Sequence, residues 1–152
     1  MIAYIDTSAL LKRVLDEPGA DVAYEVWNAA DLLVSSEIVY AEARGAAAAA
    51  RRARRIDAGE LREAVRAIDS LCDSLEILEV DRPIALAAGE LAEKHRLHGH
   101  DAVHLATAVG ISARRVVVAT WDKALARAAT ANGVGAIPAQ QQPIQPGELV
   151  LR

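Results

Sequence analysis

Short continuous apolar runs alternate along the chain with longer stretches in which apolar residues return every third or fourth position. The runs are Ile2–Ile5, Leu32–Val34, Ile77–Val80 and Arg115–Ala119. In the last of them, RVVVA, three valines follow one another with no polar alternation, the mark of a strand covered on both faces. Helical spacing fills the intervals. Thr7–Asp16 places Leu10, Leu11, Val14 and Leu15 on one face, and Ala20–Ala30 does the same with Val22, Ala23, Val26 and Trp27. Further helices are predicted from Glu37 through an alanine run to Arg55, over Ala58–Leu75, from Asp81 to about Arg96, over Asp101–Val109 and over Trp121–Ala131. A short fifth strand is expected at Ala136-Ile137. Strands separated by helices are too far apart for hairpins, so the chain reads as an α/β domain with a parallel sheet.

The breaks carry their own signals. Glu17-Pro18-Gly19 ends the first helix, Ser35 or Ser36 offers a cap for the third, and Asp81 caps a helix that tolerates Pro83 in its first turn. Gly99 breaks the pattern before Asp101, and Gly133 stops the last helix. Residues 138–152 are rich in proline and glutamine and read as a tail on a single domain spanning 1–152. No repeat of fixed period is visible.

Composition narrows the core and the compartment. The chain has 152 residues, 53% of them hydrophobic, yet no phenylalanine, so Ala, Leu, Val and Ile must fill the interior. Cys72 is the only cysteine, which excludes an internal disulfide and a cysteine-based zinc site and fits a reducing, cytoplasmic setting. The start of the chain lacks a basic segment followed by a long apolar stretch, and no run reaches the ~18 apolar residues of a membrane span. A net charge of −4 argues against a protein that coats nucleic acid by bulk positive charge. It leaves room for an enzyme whose acids recruit cations.

Where the acids fall is the informative feature. Asp6 follows the first strand and Asp122 follows the fourth, so both are expected at the carboxyl edge of the sheet, where α/β folds hold their sites. Asp101 opens a helix in GHDAVHLA. Glu42 lies in SEIVYAEAR, bordering a face on which Ile38, Ala41 and Gly45 are expected to point inward. Carboxylates drawn together repel and raise one another's pKa values. A divalent cation resolves that conflict, and Mg²⁺ or Mn²⁺, which take oxygen ligands and keep several waters, suit a shallow acidic pocket. A pair of such ions supports in-line attack on a phosphodiester. Thr7, Ser8 and Thr120 add hydroxyls suited to a coordinated water or a substrate phosphate oxygen.

Four blocks, YIDTSALLK, SSEIVYAEAR, HGHDAVHLATA and VVVATWDKAL, resemble in order the motifs of PIN-domain ribonucleases, most closely the VapC-type toxins of bacterial toxin–antitoxin pairs. The gaps from Asp6 to Glu42, Asp101 and Asp122 are 36, 59 and 21 residues in succession. The resemblance runs from the first strand to about Ile137. It implies a three-layer α/β/α sandwich around a mainly parallel sheet of four to five strands. It also implies an endoribonuclease dependent on Mg²⁺, with Mn²⁺ substituting, restrained by a cognate VapB-like antitoxin and assembled as a homodimer. By resemblance Asp6 and Asp101 are the most direct metal ligands, Asp122 assists, often through water, and Glu42 completes the quartet or binds a second ion. Trp121 departs from the family pattern, which favours a small or polar residue there; stacking on a base and simple packing are both open to it.

Bland readings stand beside these. Asp6, Asp101 and Asp122 are also good helix caps, and Glu42 also reads as a solvated helix acid. His98, His100 and His104 crowd Asp101, but HGHDAVH does not keep the His-x-His-x-Asp-His register of a zinc hydrolase. His104, one turn past Asp101, reads as structural. Arg51, Arg52, Arg54 and Arg55 suit a solvated helix end or contacts to RNA phosphates or an acidic partner. Phospho-aspartate chemistry needs paired acids or Asp-x-Asp after the first strand, and position 8 is Ser8. A silent interaction module of the same fold and a stand-alone nuclease without an antitoxin are the remaining alternatives.

Overall fold

The computed structural model describes residues 1–15, 17–111 and 115–138. The elements are β1 (Ile2–Ile5), α1 (Thr7–Val14), α2 (Ala20–Ala29), β2 (Leu32–Ser36), α3 (Ile38–Arg52), α4 (Ala58–Asp73), β3 (Glu76–Leu78), α5 (Arg82–His95), α6 (Gly99–Val109), β4 (Val116–Ala119), α7 (Lys123–Ala131) and β5 (Gly135–Ile137). The five strands form one parallel sheet in the order β3-β2-β1-β4-β5. The chain moves outward from β1 through β2 to β3, then returns to place β4 on the other flank of β1. The strand order therefore reverses between β1 and β4. A crevice opens at such a switch point, beyond the carboxyl ends of the two strands.

Alternation along the strands divides the interior into two layers. Ala3 and Ile5 of β1 face a cluster with Leu10 of α1, Val26 of α2, Val39 of α3 and Ile68 of α4. Tyr4, Val34 and Val118 face the opposite cluster, with Leu105 of α6 and Leu125 of α7. A smaller alanine cluster joins α5 to α6. The sheet sits between two helical layers, the three-layer architecture expected from the sequence.

Several local expectations change. β2 runs on to Ser36, so neither serine caps α3; Ser35 instead donates to the Ile5 carbonyl at 2.6 Å, tying β2 to β1. Glu37 holds the N-cap position of α3 without a side-chain cap, because its carboxylate accepts from the Val80 amide at 2.8 Å. The buried stripe of α3 is Val39, Ala43, Ala47 and Ala50, whereas Ala41 and Gly45 are exposed. In an alanine-rich helix, small residues lie on every side and hydropathy does not fix the phase. That helix ends at Arg52 rather than Arg55. Gly99 opens α6 rather than breaking it, with His98 at the N-cap. Asp16, at the expected end of the first helix, and residues 139–152 of the tail lie outside the described residues. Among the described residues no helix is long and apolar enough to cross a membrane.

Candidate active site

Asp6 is the whole connection between β1 and α1. Its amide donates to the Ala119 carbonyl at 3.1 Å, extending the β1–β4 ladder, while its own carbonyl accepts from Ala9 and Leu10 at 3.0 Å. The side chain is 4% exposed. One oxygen, Oδ1, accepts from the Thr7 amide at 2.7 Å; the other, Oδ2, accepts from the Ser8 and Thr120 hydroxyls at 2.6 and 2.7 Å. Asp6 is therefore both the cap of α1 and a carboxylate held rigidly at the switch point.

Asp122 reaches the same crevice from β4. Its Oδ1 accepts from the Leu125 amide at 2.7 Å, capping α7. Thr120 links the two acids, because its hydroxyl donates to Asp6 and accepts from the Asp122 amide at 3.0 Å. Ser8 has a matching part, donating to Asp6 and accepting from the Trp121 amide at 2.8 Å. Thr120 is fully buried, so it orients carboxylates and presents no group to the cleft.

Asp101 comes from the first turn of α6 and is buried, yet its only partner among the described residues is the His100 imidazole at 3.4 Å. Burial pushes its carboxyl above the ordinary carboxylate range. His100 works against that shift, and the charges of Asp122 and Asp6 add to it. Glu42 approaches from α3 and is held apart from the aspartates. Its Oε2 accepts from the Thr7 hydroxyl at 2.5 Å and from His104 Nε2 at 2.6 Å. Burial raises the Glu42 carboxyl, but the bonds from His104 and Thr7 outweigh burial and hold it below its ordinary value. Asp6, Thr7, Ser8, Glu42, His100, Asp101 and Asp122 line a common cleft of about 310 Å³.

His104 is the residue whose place the sequence hides. It is 1% exposed, with Nδ1 bonded to the Tyr4 hydroxyl at 2.8 Å and Nε2 facing Glu42, with Asp6 Oδ1 3.6 Å away. Burial favours the neutral ring, but the Glu42 bond and the charges of Asp6, Glu42 and Asp101 prevail and raise its pKa. The three-residue step from Asp101 to His104 puts both on one side of α6. That step was the available signal; Tyr4, in an apolar strand run, gave none.

The donor set suits a hard divalent cation in chemistry: all oxygen, three aspartates within one crevice, and a buried Asp101 with no hydrogen bond to its carboxylate among the described residues. It is not a closed cage. Among the described residues no group of three or more His, Cys, Asp or Glu side chains is arranged to hold a metal ion. A cation that retains several waters does not need such convergence.

Residues 3–131 match the PIN domain family. The chain is 37% identical over 142 residues to Ribonuclease VapC45 and to Ribonuclease VapC49, from two strains of Mycobacterium tuberculosis, covering 93% of this chain and 99% of each relative. Among solved structures, PAE2754 from Pyrobaculum aerophilum superposes with a TM-score of 0.67 at 22% identity, covering 90% of this chain and 84% of that one. VapBC-5 from Mycobacterium tuberculosis, a member of the VapBC family of toxin–antitoxin systems, gives 0.60 at 23% identity, covering 90% and 97%. With its motif order, its reversed strand order and its acids at that reversal, the chain belongs to the PIN-domain family.

Proposed function

We propose that this protein is an endoribonuclease and the toxin of a VapBC-like pair, hydrolysing RNA phosphodiesters with Mg²⁺, for which Mn²⁺ substitutes. The observation that carries the reading is the meeting of Asp6, Asp101 and Asp122 at the β1–β4 switch point, in a chain so similar to named ribonucleases. Asp6, Asp101 and Asp122 are the residues that would hold the cation, with Glu42 beside them. A divalent cation bound there supplies a Lewis acid for the phosphoryl oxygens and lowers the pKa of water. The chain's own part is positional. Thr120 and Ser8 fix the carboxylate plane of Asp6, the α7 cap fixes Asp122, and His104 with Thr7 holds Glu42 at the cleft wall as a carboxylate. Glu42 thereby stays charged on the cleft wall beside the aspartates.

The kinship with toxin–antitoxin proteins supports a VapB-like antitoxin as partner; a homodimer of the toxin rests on the family resemblance alone. The test is purified protein on RNA with Mg²⁺, Mn²⁺ or EDTA, beside Asp6→Asn. Cleavage that needs the metal and drops at least ~100-fold in the variant is expected. Cleavage that survives EDTA or the substitution overturns the reading. Absence of any cleavage, with no metal uptake by calorimetry, assigns the chain to a silent module instead.

A further inference from the structure

The acidic cleft does not end at the aspartates. Ser8, Leu11, Ala46 and Asp122 also border a second cavity of about 310 Å³, whose further wall is Lys12, Trp121 and Arg55. Arg55 in turn borders a third cavity of about 380 Å³, together with Arg51, Arg54, Asp57 and Glu60. The three follow one another as a trough, the second and third joined at Arg55, that begins acidic, passes an indole and ends among three arginines and two acids.

Each part is built rather than incidental. Trp121 packs against the core on one side and lines the trough on the other, and its indole edge abuts Gly19 so closely that a Cβ there would lie 2.5 Å from Nε1. The ring is thus clamped as a platform. Lys12 Nζ lies over the ring, 6.0 Å from its centroid, and pairs with Glu17 at 2.9 Å. At the far end α3 stops in a Schellman motif. Arg54 donates to the Arg51 carbonyl and Arg55 to the Ala50 carbonyl, at 3.0 and 2.9 Å. The left-handed position of that motif is Arg54, at φ 57°, where glycine is the unstrained choice. Just past that turn, Arg55 borders the cavity that Ala46 and Trp121 also line. None of the salt bridges among the described residues involves Arg51, Arg54 or Arg55.

We propose that this trough is the track for single-stranded RNA flanking the scissile phosphodiester: Trp121 stacks on one base, and Arg55, Arg51 and Arg54 hold the phosphates beyond it. The inference rests on the ribonuclease reading for its ligand. A cleft of three aspartates repels a polyanion, so a strand entering it needs positive charge close by, in a chain whose net charge is −4. Aromatic stacking supplies affinity that any base can use, and the arginines supply affinity that salt weakens. The two contributions are separable.

The test uses full-length protein in EDTA, which stops turnover, and the fluorescence anisotropy of a 3′-fluorescein 12-nucleotide RNA of mixed sequence. Arg55→Ala and Arg51→Ala are each expected to weaken binding several-fold. Each is also expected to flatten the dependence of log K on log salt by about 0.7, the increment of one phosphate contact on a single strand. Trp121→Leu is expected to weaken binding about 10-fold with the salt slope unchanged, and Trp121→Phe to restore most of it. Melting curves show that each variant is folded. Affinities and slopes that match wild type overturn the track. So does a pattern in which RNA binding is intact while binding of polyglutamate, a mimic of an acidic partner segment, is lost. Protein that binds through Arg55 and Trp121 yet cleaves no RNA in Mg²⁺ refutes the nuclease reading and keeps the track. Protein that cleaves while all the variants bind normally refutes the track alone.

Discussion

Replacing His104 with leucine removes a bond from Glu42 and a bond from the buried Tyr4 hydroxyl, and both losses have a size. The bond to Glu42 is 2.6 Å long and ends on a carboxylate, which is worth about 1.5–3 kcal/mol. The Tyr4 hydroxyl is fully buried and also has Thr107, Ser35 and the Ser36 amide around it, so losing its His104 bond costs about another 1–2 kcal/mol. Imidazole and isobutyl groups are similar in bulk, so the cavity contribution is small. His104→Leu should therefore destabilise the fold by about 3–5 kcal/mol, or lower Tm by roughly 10 °C. Tyr4→Phe strands the imidazole Nδ1 instead. The double variant strands neither group, so it should cost about 1–2 kcal/mol less than the sum of the singles. Urea unfolding followed by circular dichroism, in EDTA, measures all four corners. Single effects that add within about 0.5 kcal/mol, or a His104→Leu effect below about 1 kcal/mol, would refute the claim that this pair holds Glu42. The pH dependence has a definite sign. His104 is raised in the fold above 6.5, so its contribution is complete below that pH and fades as pH climbs through the raised value. Glu42 is lowered below 4.5, so its contribution is complete above that pH and fades as pH falls through the lowered value. The metal-free wild type should hold its greatest margin over His104→Leu between about pH 4.5 and 6.5.

Three other substitutions probe separate links. Asp101 is raised above 3.8 in the fold, so its charge weakens the metal-free protein at neutral pH. Asp101→Asn should melt a few degrees higher in EDTA and lose the extra stabilisation that Mg²⁺ confers on wild type; a lower melting point in EDTA would count against the crowding of charge. Arg54→Gly relieves a left-handed backbone at φ 57° and should add about 0.5–1 kcal/mol by calorimetry, while weakening RNA binding; an unchanged or lower stability would dispute the strain. Gly19→Ala meets both a φ of 97° and the Trp121 ring, and should cost about 1–3 kcal/mol with a shift in tryptophan emission. A neutral Gly19→Ala would mean the indole is not clamped.

The fold was legible because its strands are apolar runs and its helices keep their period over long stretches. The acids were legible because each follows a strand or opens a helix, and those junctions are punctuated. Two things escaped. The phase of α3 cannot be read from a helix with alanine on every face: hydropathy points Ala41 and Gly45 inward, whereas Ala43 and Ala47 are the buried residues. The Tyr4–His104–Glu42 chain joins residues 100 and 62 positions apart. No local pattern encodes such a contact; it exists because α6 and α3 meet on opposite sides of the same strand end. Thr7, Ser8 and Thr120 read in sequence only as hydroxyls for substrate or coordinated water; the structure adds bonds from them to Glu42, to Asp6 and to the Trp121 and Asp122 amides. That use depends on side-chain direction, which composition does not carry.

One residue, Asp6, separates the last rung of β1 from the first turn of α1. It closes the ladder to β4 through its amide, starts the helix through its carbonyl and caps it through its carboxylate. No slack exists on either side. An added residue before it would slip β1 by one position and turn Ala3 and Ile5 out of their layer. An added residue after it would detach the carboxylate from the amides of Thr7 and Ser8. Chain length at this point is therefore as much a part of the chemistry as side-chain identity. The site can drift by substitution but not by insertion or deletion.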